Sequence, residues 1–302
     1  MTTEKAAVIG LGSMGLGIAT NLTSAGWDVR GCDLSDTAKS RLADAGGTAC
    51  ATPVEAANDC EIVLSVVVNA AQTNAILFGD HGAASAMAKG TVFVSCATMS
   101  PDDCRALADR LDDLGILYLD APISGGAKKA ATGDLSVMAS GAPEAFTAAA
   151  SALDIIAAKL HRLGDKPGTG ASVKMINQLL AGVHIAAACE AMTLAAKLGL
   201  DLPTVYDVIK SSAGNSWMFE NRVPHILEGN YTPLSAVEIF VKDLGIVQDM
   251  ARAEHFPVPI AAAALQMYLA TAGAGMGKDD DASVARLYAQ ISGVDLPGDA
   301  EN

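Results

Sequence analysis

The sequence predicts an α/β protein in which a doubly wound, mostly parallel sheet is followed by an all-helical C-terminal domain. Short apolar strands alternate with helical patterns up to about residue 166, which is typical of a parallel sheet covered on both faces. Beyond that point the β signals stop and only helical patterns remain. The change falls at DKPGTG, residues 165–170, so we expect domains at 1–166 and 167–302.

The first predicted strand and helix are joined by a glycine-rich turn. The apolar strand KAAVIG, residues 5–10, leads through GLGSMG into a helical pattern from Met14 to Ala25. In this context G-x-G-x-x-G is the dinucleotide fingerprint of a Rossmann-type domain, in which the glycines allow the turn, the approach of the pyrophosphate and helix packing. We expect the whole turn to bind the dinucleotide: Gly10, Leu11, Gly12, Ser13, Met14 and Gly15.

Asp33 ends the second strand, WDVRGCDL, 18 residues after Gly15. This is close to the spacing of the acid that binds the ribose hydroxyls of NAD and repels the 2′-phosphate of NADP. The alternative is an ordinary acidic turn residue, and Lys39 and Arg41 in the next helix leave NADP open. We favour NAD as the cofactor.

The remaining strand patterns place further candidate residues at one edge of the sheet. Ligands of such sheets bind beyond the carboxyl ends of the strands, which points to Val68, Asn69, Thr98 and the loop after Asp120. Helices are expected from Ala70, after Ser100 and near 143–158. The strand patterns are TAC near residue 49, EIVLSVVV (61–68), TVFVSCAT (91–98), GILYLDAP (115–122), DLSVMASG (134–141) and KLHRL (159–163).

Composition restricts the partners and the compartment. The net charge of −14 argues against nucleic acid, so an anionic substrate needs a local positive pocket. The most apolar run, 175–200, contains several polar residues and is expected to be a buried helix rather than a membrane span. No export signal is visible, and the six scattered cysteines suggest neither disulfides nor structural zinc. We expect a cytoplasmic protein.

Lys174 is the most informative residue of the helical half. It shares a helix face with Asn177 and Gln178 and makes one polar spot on an apolar helix. One interpretation is a core lysine whose ammonium group reaches solvent, beside two amides that hydrogen-bond to each other. The other is a desolvated lysine used for proton transfer.

The rest of the helical half is predicted from its breaks, and the acidic tail GDAEN is expected to fray. Helices are predicted near 169–198, 203–212, 216–228, 234–254, 258–274 and 282–291.

Other polar clusters have two interpretations each. In DAPISGG, residues 120–126, Ser124 and the amides of Gly125 and Gly126 form either a nest for a carboxylate or a simple loop turn. His184 lies about 15 Å along the helix from Lys174, too far to share a reacting proton. The acids 279–281 are expected to mark a solvated turn or helix start, and we expect no metal site.

Taken together, these motifs resemble the β-hydroxyacid dehydrogenase family over nearly the whole chain. The resemblance implies that Lys174 is catalytic, that Thr98 and Lys242 contact the cofactor, and that Ser124, Gly125 and Gly126 hold the substrate carboxylate. Many relatives carry asparagine four residues after the lysine, where this chain has Gln178, so either Asn177 or Gln178 could orient the substrate. The motifs are VIGLGSMGLGIATNLTSAG, DAPISGG, GTGASVKMINQ, FVKDLGIV and GKDDDASV.

Within the family, GVHIAAACEAM and AGNSWMFENR are most similar to members that oxidise the hydroxyl next to the carboxylate of a four-carbon sugar acid, L-threonate. Asn215 and Trp217 are candidates for contact with the polyol end. Oxidation needs a base that takes the hydroxyl proton while hydride leaves the carbon that bears the hydroxyl. A lysine can act as this base once its pKa is lowered from the usual value of about 10.4. We therefore expect oxidation to be faster at alkaline pH.

Two kinds of alternative function stay open. Among enzymes, the chain could reduce tartronate semialdehyde or oxidise 3-hydroxyisobutyrate, although the polar AGNS stretch favours a polyol substrate. In another class, it could be an inactive nucleotide-sensing protein, against which the retention of Lys174, Ser124 and Asp33 speaks. The Ala- and Gly-rich helix suits close helix packing, so we expect a homo-oligomer, a dimer or a tetramer.

Overall fold

The computed structural model describes residues 3–298, and the chain divides into two compact units. One unit ends at Lys174 and the other begins at Met175, inside a long helix. The predicted domain boundary at 166/167 stays a prediction. The last residues of the tail expected to fray lie outside the described residues.

The first unit is built on a six-stranded parallel sheet of order β3-β2-β1-β4-β5-β6. Its central strands are apolar and fully buried because helices cover both faces. The order reverses between β1 and β4, and their carboxyl ends form the switch point at which such sheets bind ligands. The strands are β1 Lys5–Ile9, β2 Asp28–Cys32, β3 Thr48–Cys50, β4 Ile62–Ser65, β5 Val92–Ser95 and β6 Leu117–Asp120.

Local sequence explains where the helices of this unit begin. Asn69 and Ser100 accept hydrogen bonds from backbone N–H groups of the first turns of α4 and α5, and proline opens α3, α5 and α7. These helices are α1 Gly15–Ser24, α2 Asp36–Asp44, α3 Pro53–Ala57, α4 Ala70–Phe78, α5 Pro101–Asp112, α6 Gly126–Thr132 and α7 Pro143–Ile156. The predicted alternation of strands and helices is confirmed.

A second, three-stranded sheet departs from the expectation that all strands join one sheet. β7 Ile123–Ser124 pairs antiparallel with β8 Leu135–Ala139, which pairs parallel with β9 Ala157–Arg162. One isolated bridge, Asp120 to Ser140, relates β6 to the end of β8. Pro122 precedes β7 and carries no N–H group, so the ladder of β6 does not continue through it.

The second unit is all-helical, as predicted. α8 Thr169–Lys197 begins in the first unit and enters the second, whose core contains Phe240 and Tyr268 with rings stacked 5.2 Å apart. Phe219 is buried in the same core, and its ring stacks on Tyr206. The helices after α8 are α9 Leu202–Lys210, α10 Trp217–Glu228, α11 Val237–Ala253, α12 Pro259–Thr271 and α13 Val284–Ser292.

α8 is long and apolar enough to cross a membrane by length and composition alone. Half of its most apolar 18-residue window is buried among the described residues. Lys174 and Gln178 are among its buried residues.

The acids 279–281 are not the solvated turn that the sequence suggests. Asp280 and Asp281 are fully buried, and only Asp279 reaches solvent. The Arg222 guanidinium donates from Nε to Asp281 Oδ1 at 2.5 Å and from Nη2 to Oδ2 at 3.2 Å. Burial raises the pKa of the Asp281 carboxyl, and Arg222 counteracts that rise. The expected helix start is present, since Asp280 accepts from the Ala282 N–H of a 3₁₀ turn.

The Arg222 pair gives a stability prediction. Arg222→Ala leaves the Asp281 carboxylate buried without its partner, and we expect it to lower the free energy of unfolding by about 3–5 kcal/mol. The control is Arg252→Ala, because the Arg252–Asp249 pair has side chains 76% and 73% exposed and a loss of about 0–1 kcal/mol is expected. Urea denaturation measures both variants, and equal losses would contradict the assignment.

Candidate active site

The glycine turn between β1 and α1 is shaped by contacts that exclude side chains. Gly10 has φ +94°, and a Cβ there would lie 2.5 Å from the Val66 carbonyl oxygen. A Cβ on Gly15 would lie 1.8 Å from the Gly10 carbonyl oxygen. At Gly12, in contrast, no atom of residues 3–298 lies within 4 Å of the Cβ position. The turn is therefore closed around Gly10 and Gly15 and open at Gly12, which fits a backbone approached by a dinucleotide pyrophosphate.

Asp33 lies at the carboxyl end of β2 and is bound to the same turn. Its Oδ2 accepts from the Leu11 N–H at 2.6 Å, and its Oδ1 accepts from the Ser35 N–H at 2.8 Å. A carboxylate oxygen can accept more than one hydrogen bond, so both oxygens keep capacity for ribose hydroxyls. The position of Asp33 fits the predicted ribose-binding acid.

The other candidate cofactor residues follow β4 and β5. Val68 and Asn69 lie beyond β4, where the Asn69 Oδ1 accepts from the Gln72 N–H at 2.8 Å and so begins α4. Thr98 lies beyond β5 and is half-buried. The structure places these residues at the carboxyl edge of the sheet, as predicted, and their contact with the cofactor stays a prediction.

The DAPISGG segment is more ordered than a loop. Ile123 and Ser124 form β7, and Ser124 pairs with Ser136 of β8. Gly125 precedes α6 and Gly126 opens it, with φ of 137° and 71° that side chains rarely adopt. The first N–H groups of a helix lack partners within the helix, so this strand-to-helix junction offers donors next to the Ser124 hydroxyl.

Lys174 is the buried lysine that the sequence singles out. It lies in the second turn of α8 and is 7% exposed. Its Nζ donates to the Ile123 carbonyl oxygen at 3.0 Å, and Ile123 is the neighbour of Ser124. The first unit therefore places the Lys174 amine one residue from the predicted carboxylate site.

Asp120 and Ser140 hold the start of α8 and were missed by the sequence reasoning. The Asp120 Oδ2 accepts from the N–H groups of Gly168 and Ala171 at 3.0 and 2.9 Å and from Ser140 Oγ at 3.0 Å. Ser140 Oγ in turn accepts from the Gly170 N–H at 2.9 Å. Burial raises the pKa of the Asp120 carboxyl, and these donors oppose that rise. The available signal was an acid at the carboxyl end of a buried strand.

In the second unit, Asn177 and Gln178 are joined to the FVKDLGIV motif. Asn177 Nδ2 donates to Gln178 Oε1 at 2.9 Å, and Gln178 Nε2 donates to Asp243 Oδ2 at 2.5 Å. The Lys242 ammonium forms an ion pair with Asp243 Oδ1 at 2.5 Å. Gln178 is 8% and Asp243 1% exposed. Sequence reasoning missed Asp243, although it adjoins Lys242 in the motif.

The remaining candidates are separate from these contacts. Asn215 donates to the Lys210 carbonyl oxygen and to Glu220, and Trp217 is 60% exposed at the start of α10. His184 is half-buried on α8. Within residues 3–298, no group of three or more His, Cys, Asp or Glu side chains is placed to hold a metal ion.

Comparison with known families matches both halves of the chain. Residues 5–164 match a family model described as the NAD binding domain of 6-phosphogluconate dehydrogenase. Residues 168–288 match one described as NAD-binding of NADP-dependent 3-hydroxyisobutyrate dehydrogenase. The two matched ranges are separated by residues 165–167, just before the start of α8.

Individual relatives match over nearly their whole length. An L-threonate dehydrogenase of Cupriavidus necator is 54% identical over 294 residues, covering 97% of this chain and 98% of the relative. An L-threonate dehydrogenase of Escherichia coli K12 is 48% identical, with 96% of each chain covered. A crystal structure of a 3-hydroxyisobutyrate dehydrogenase from Salmonella typhimurium is 47% identical with a TM-score of 0.91, covering 94% of this chain and 99% of that one.

These matches agree with the six-stranded parallel sheet and the helical second unit described above. They confirm the predicted fold class, the NAD cofactor and the resemblance drawn from the motifs. The chain belongs to the β-hydroxyacid dehydrogenase family of 3-hydroxyisobutyrate dehydrogenase-related proteins, and it is an NAD-dependent dehydrogenase that acts on CH–OH groups.

Proposed function

We propose that this chain oxidises L-threonate at the hydroxyl next to the carboxylate, with NAD as hydride acceptor. The observation that carries the proposal is the buried Lys174 amine, held on the Ile123 carbonyl oxygen beside Ser124. Relatives named L-threonate dehydrogenases, 48–54% identical over nearly the whole chain, support this substrate. The product is the corresponding 2-oxo acid, 2-oxo-tetronate.

The substrate carboxylate binds at the junction of β7 and α6. The Ser124 hydroxyl and the N–H groups of Gly125 and Gly126 are donors on a short stretch of backbone, and anions bind well at such sites. The cofactor binds on the glycine turn, with Asp33 at its ribose and Val68, Asn69 and Thr98 along the sheet edge. By the family resemblance, Lys242 also contacts it.

Lys174 exchanges the proton of the substrate hydroxyl. In its neutral form the amine keeps one N–H on the Ile123 carbonyl oxygen and turns its lone pair to the hydroxyl, which it deprotonates. In the reductive direction the ammonium returns that proton. Bound NAD supplies the hydride acceptor. The hydrogen bond to the Ile123 carbonyl oxygen fixes the position of the Lys174 amine relative to the substrate carboxylate, which binds at the neighbouring residue, Ser124.

Of the two amides beside Lys174, Asn177 is the one that orients the substrate. Gln178 uses its oxygen to accept from Asn177 and its amide to donate to Asp243, and it is buried. Asn177 is half-buried and keeps its carbonyl oxygen and a second N–H. It lies one turn beyond Lys174 on the same face of α8. Gln178 and Asp243 hold it in place.

Related activities are weaker candidates for this chain. Reduction of tartronate semialdehyde or oxidation of 3-hydroxyisobutyrate would use the same lysine and carboxylate site, and one similar crystal structure carries the latter name. The polar composition of the AGNS stretch, residues 213–216, favours a polyol end over a branched apolar one. An inactive nucleotide sensor would have no need of the buried Lys174.

We place the protein in the cytoplasm and expect a homo-oligomer. All six cysteines carry free thiols, as is usual for proteins of a reducing compartment. Three leucine or isoleucine side chains of α8, Ile176, Leu180 and Leu194, and Leu198 directly after it are 50–66% exposed and suit contact with another copy. A small anionic hydroxy acid is the expected substrate, and neither nucleic acid nor a membrane is an expected partner.

A turnover assay tests the function. The purified protein is incubated with NAD and a panel of three- to five-carbon hydroxy acids, and NADH formation is followed by absorbance. We expect the largest kcat/KM for L-threonate and a much lower value with NADP. A preference for 3-hydroxyisobutyrate would select that alternative, and no turnover of any acid would favour the sensor.

Lys174→Ala tests the proton-transfer role. We expect kcat to fall by a factor of about 100–10,000, the usual contribution of a positioned acid or base, while the Kd of NADH is unchanged. The control is Lys197→Ala, because Lys197 is the other lysine of α8, is exposed and bonds to the Ser292 carbonyl oxygen. A near-normal kcat in Lys174→Ala would contradict the assignment of Lys174 as the group that exchanges the proton.

Asn177→Ala and Gln178→Ala separate substrate contact from positioning. We expect Asn177→Ala to raise KM for the acid about tenfold, the value of one hydrogen bond to a neutral partner, without changing the melting temperature. Gln178→Ala removes the hydrogen bond to Oδ2 of the buried Asp243, so the melting temperature should fall. An unchanged KM in Asn177→Ala, with a raised KM in fully folded Gln178→Ala, would reverse the roles.

Gly12→Ala and Gly15→Ala test the cofactor turn. We expect Gly15→Ala to destabilise the fold, since its Cβ would lie 1.8 Å from the Gly10 carbonyl oxygen. Gly12→Ala meets no described atom within 4 Å, so the protein should keep its melting temperature and lose NADH affinity. Fluorescence titration with NADH measures this loss. Unchanged affinity in Gly12→Ala would place the pyrophosphate elsewhere.

A further inference from the structure

We propose that Asp120 is a positioning residue for the reaction, which sets the place of the Lys174 amine relative to the carboxylate site. This inference rests on the proposed role of Lys174 as the acid and base. It concerns a different observation, the set of hydrogen bonds that join the segment 120–123 to the start of α8.

Two connections link these segments at matched positions. At one, the Asp120 Oδ2 accepts from the Ala171 N–H at 2.9 Å; at the other, the Ile123 carbonyl oxygen accepts from Lys174 Nζ at 3.0 Å. The residues of each segment are three apart, which on α8 is nearly one turn. The backbone of α8 is therefore fixed at Ala171 before the Lys174 side chain reaches back to Ile123.

The first connection is stronger than an ordinary helix cap. Asp120 is 1% exposed, and Oδ2 also accepts from the Gly168 N–H and from Ser140 Oγ. Ser140 accepts from the Gly170 N–H, so three N–H groups near the helix start point into this pair. A carboxylate at a helix N-terminus is further stabilised by the helix dipole. A Cβ on Gly170 would lie 2.3 Å from the Met138 carbonyl oxygen and 3.0 Å from Asp120 Oδ2, which leaves no room for another residue there.

The same strand end continues into the carboxylate site. Asp120 ends β6, Ile123 and Ser124 form β7, and Gly125 precedes α6. One short stretch of chain therefore fixes the helix start with Asp120, holds the amine with Ile123 and offers donors to the substrate at Ser124. A shift of α8 at Asp120 moves the amine and leaves the carboxylate donors in place. Misplacement of a reacting group by about 1 Å can cost about 100-fold in rate.

Asp120→Asn is the principal test, because it removes the charge and keeps the size. We expect kcat to fall about 100-fold, the primary deuterium isotope effect on kcat to rise as hydride transfer becomes rate-limiting, and the Kd of NADH to stay unchanged. A purely structural role would lower the melting temperature without moving the isotope effect. Unchanged kcat and isotope effect in folded Asp120→Asn would overturn the inference.

Asp201→Asn is the matched control. Asp201 makes the same kind of contact at the start of α9, where its Oδ2 accepts from the Thr204 N–H at 3.0 Å, but it has no bond to the segment 120–123 among the described residues. We expect its kcat and isotope effect to equal those of the wild type. An equal fall of kcat in both variants would also overturn the inference.

Ser140→Ala keeps the inference testable if Asp120→Asn does not fold. It removes one donor to Asp120 and the acceptor of the Gly170 N–H, so a smaller fall of kcat with a raised isotope effect is expected. Wild-type turnover separates the two proposals: its absence defeats the proposed function. If the wild type has no turnover, crystal structures of the wild type and of the folded Asp120 or Ser140 variant test the inference. The distance from Lys174 Nζ to the Ile123 carbonyl oxygen must be longer in the variant, and an unchanged distance would overturn the inference.

Discussion

The Asp120 carboxylate at the N-terminus of α8 is the interaction on which the arrangement of the first unit depends. It is buried, and hydrogen bonds from two backbone N–H groups and a hydroxyl offset the cost of that burial. An ion in such a place has few alternative positions, because any shift would leave a buried charge or a buried N–H unpaired. A long helix is thereby fixed at one end to the edge of a sheet.

The glycine turn between β1 and α1 is fixed by steric exclusion together with a hydrogen bond to Asp33. Gly10 and Gly15 are excluded from carrying side chains by carbonyl oxygens, while Gly12 faces open space. Asp33 then binds the turn through Leu11, so the position of the acid predicted to bind the ribose and the shape of the turn are determined together. Hydrogen bonding and steric exclusion thus fix the shape of the turn that we predict to bind the cofactor.

In the second unit, buried polar groups are arranged as a chain. Asn177, Gln178, Asp243 and Lys242 follow one another through hydrogen bonds and an ion pair. Such a chain gives each side chain one orientation, because its neighbours use the other donors and acceptors. The buried Arg222–Asp281 pair is a separate example in the same unit, where it joins α10 to the turn before α13.

The sequence by itself determined the fold class and the family, and it indicated the glycine turn, Asp33 and Lys174 as candidate site residues, because these depend on local patterns and fixed spacings. Only the tertiary structure decided that β7, β8 and β9 form a second sheet, that Asp280 and Asp281 are buried, and that Asp120 and Asp243 hold the residues around Lys174 and Asn177. The physical reason is that burial and hydrogen-bond partners join residues far apart in the chain. Asp120 meets Ala171 across 51 positions and Gln178 meets Asp243 across 65, and no periodicity in a single sequence records such pairs.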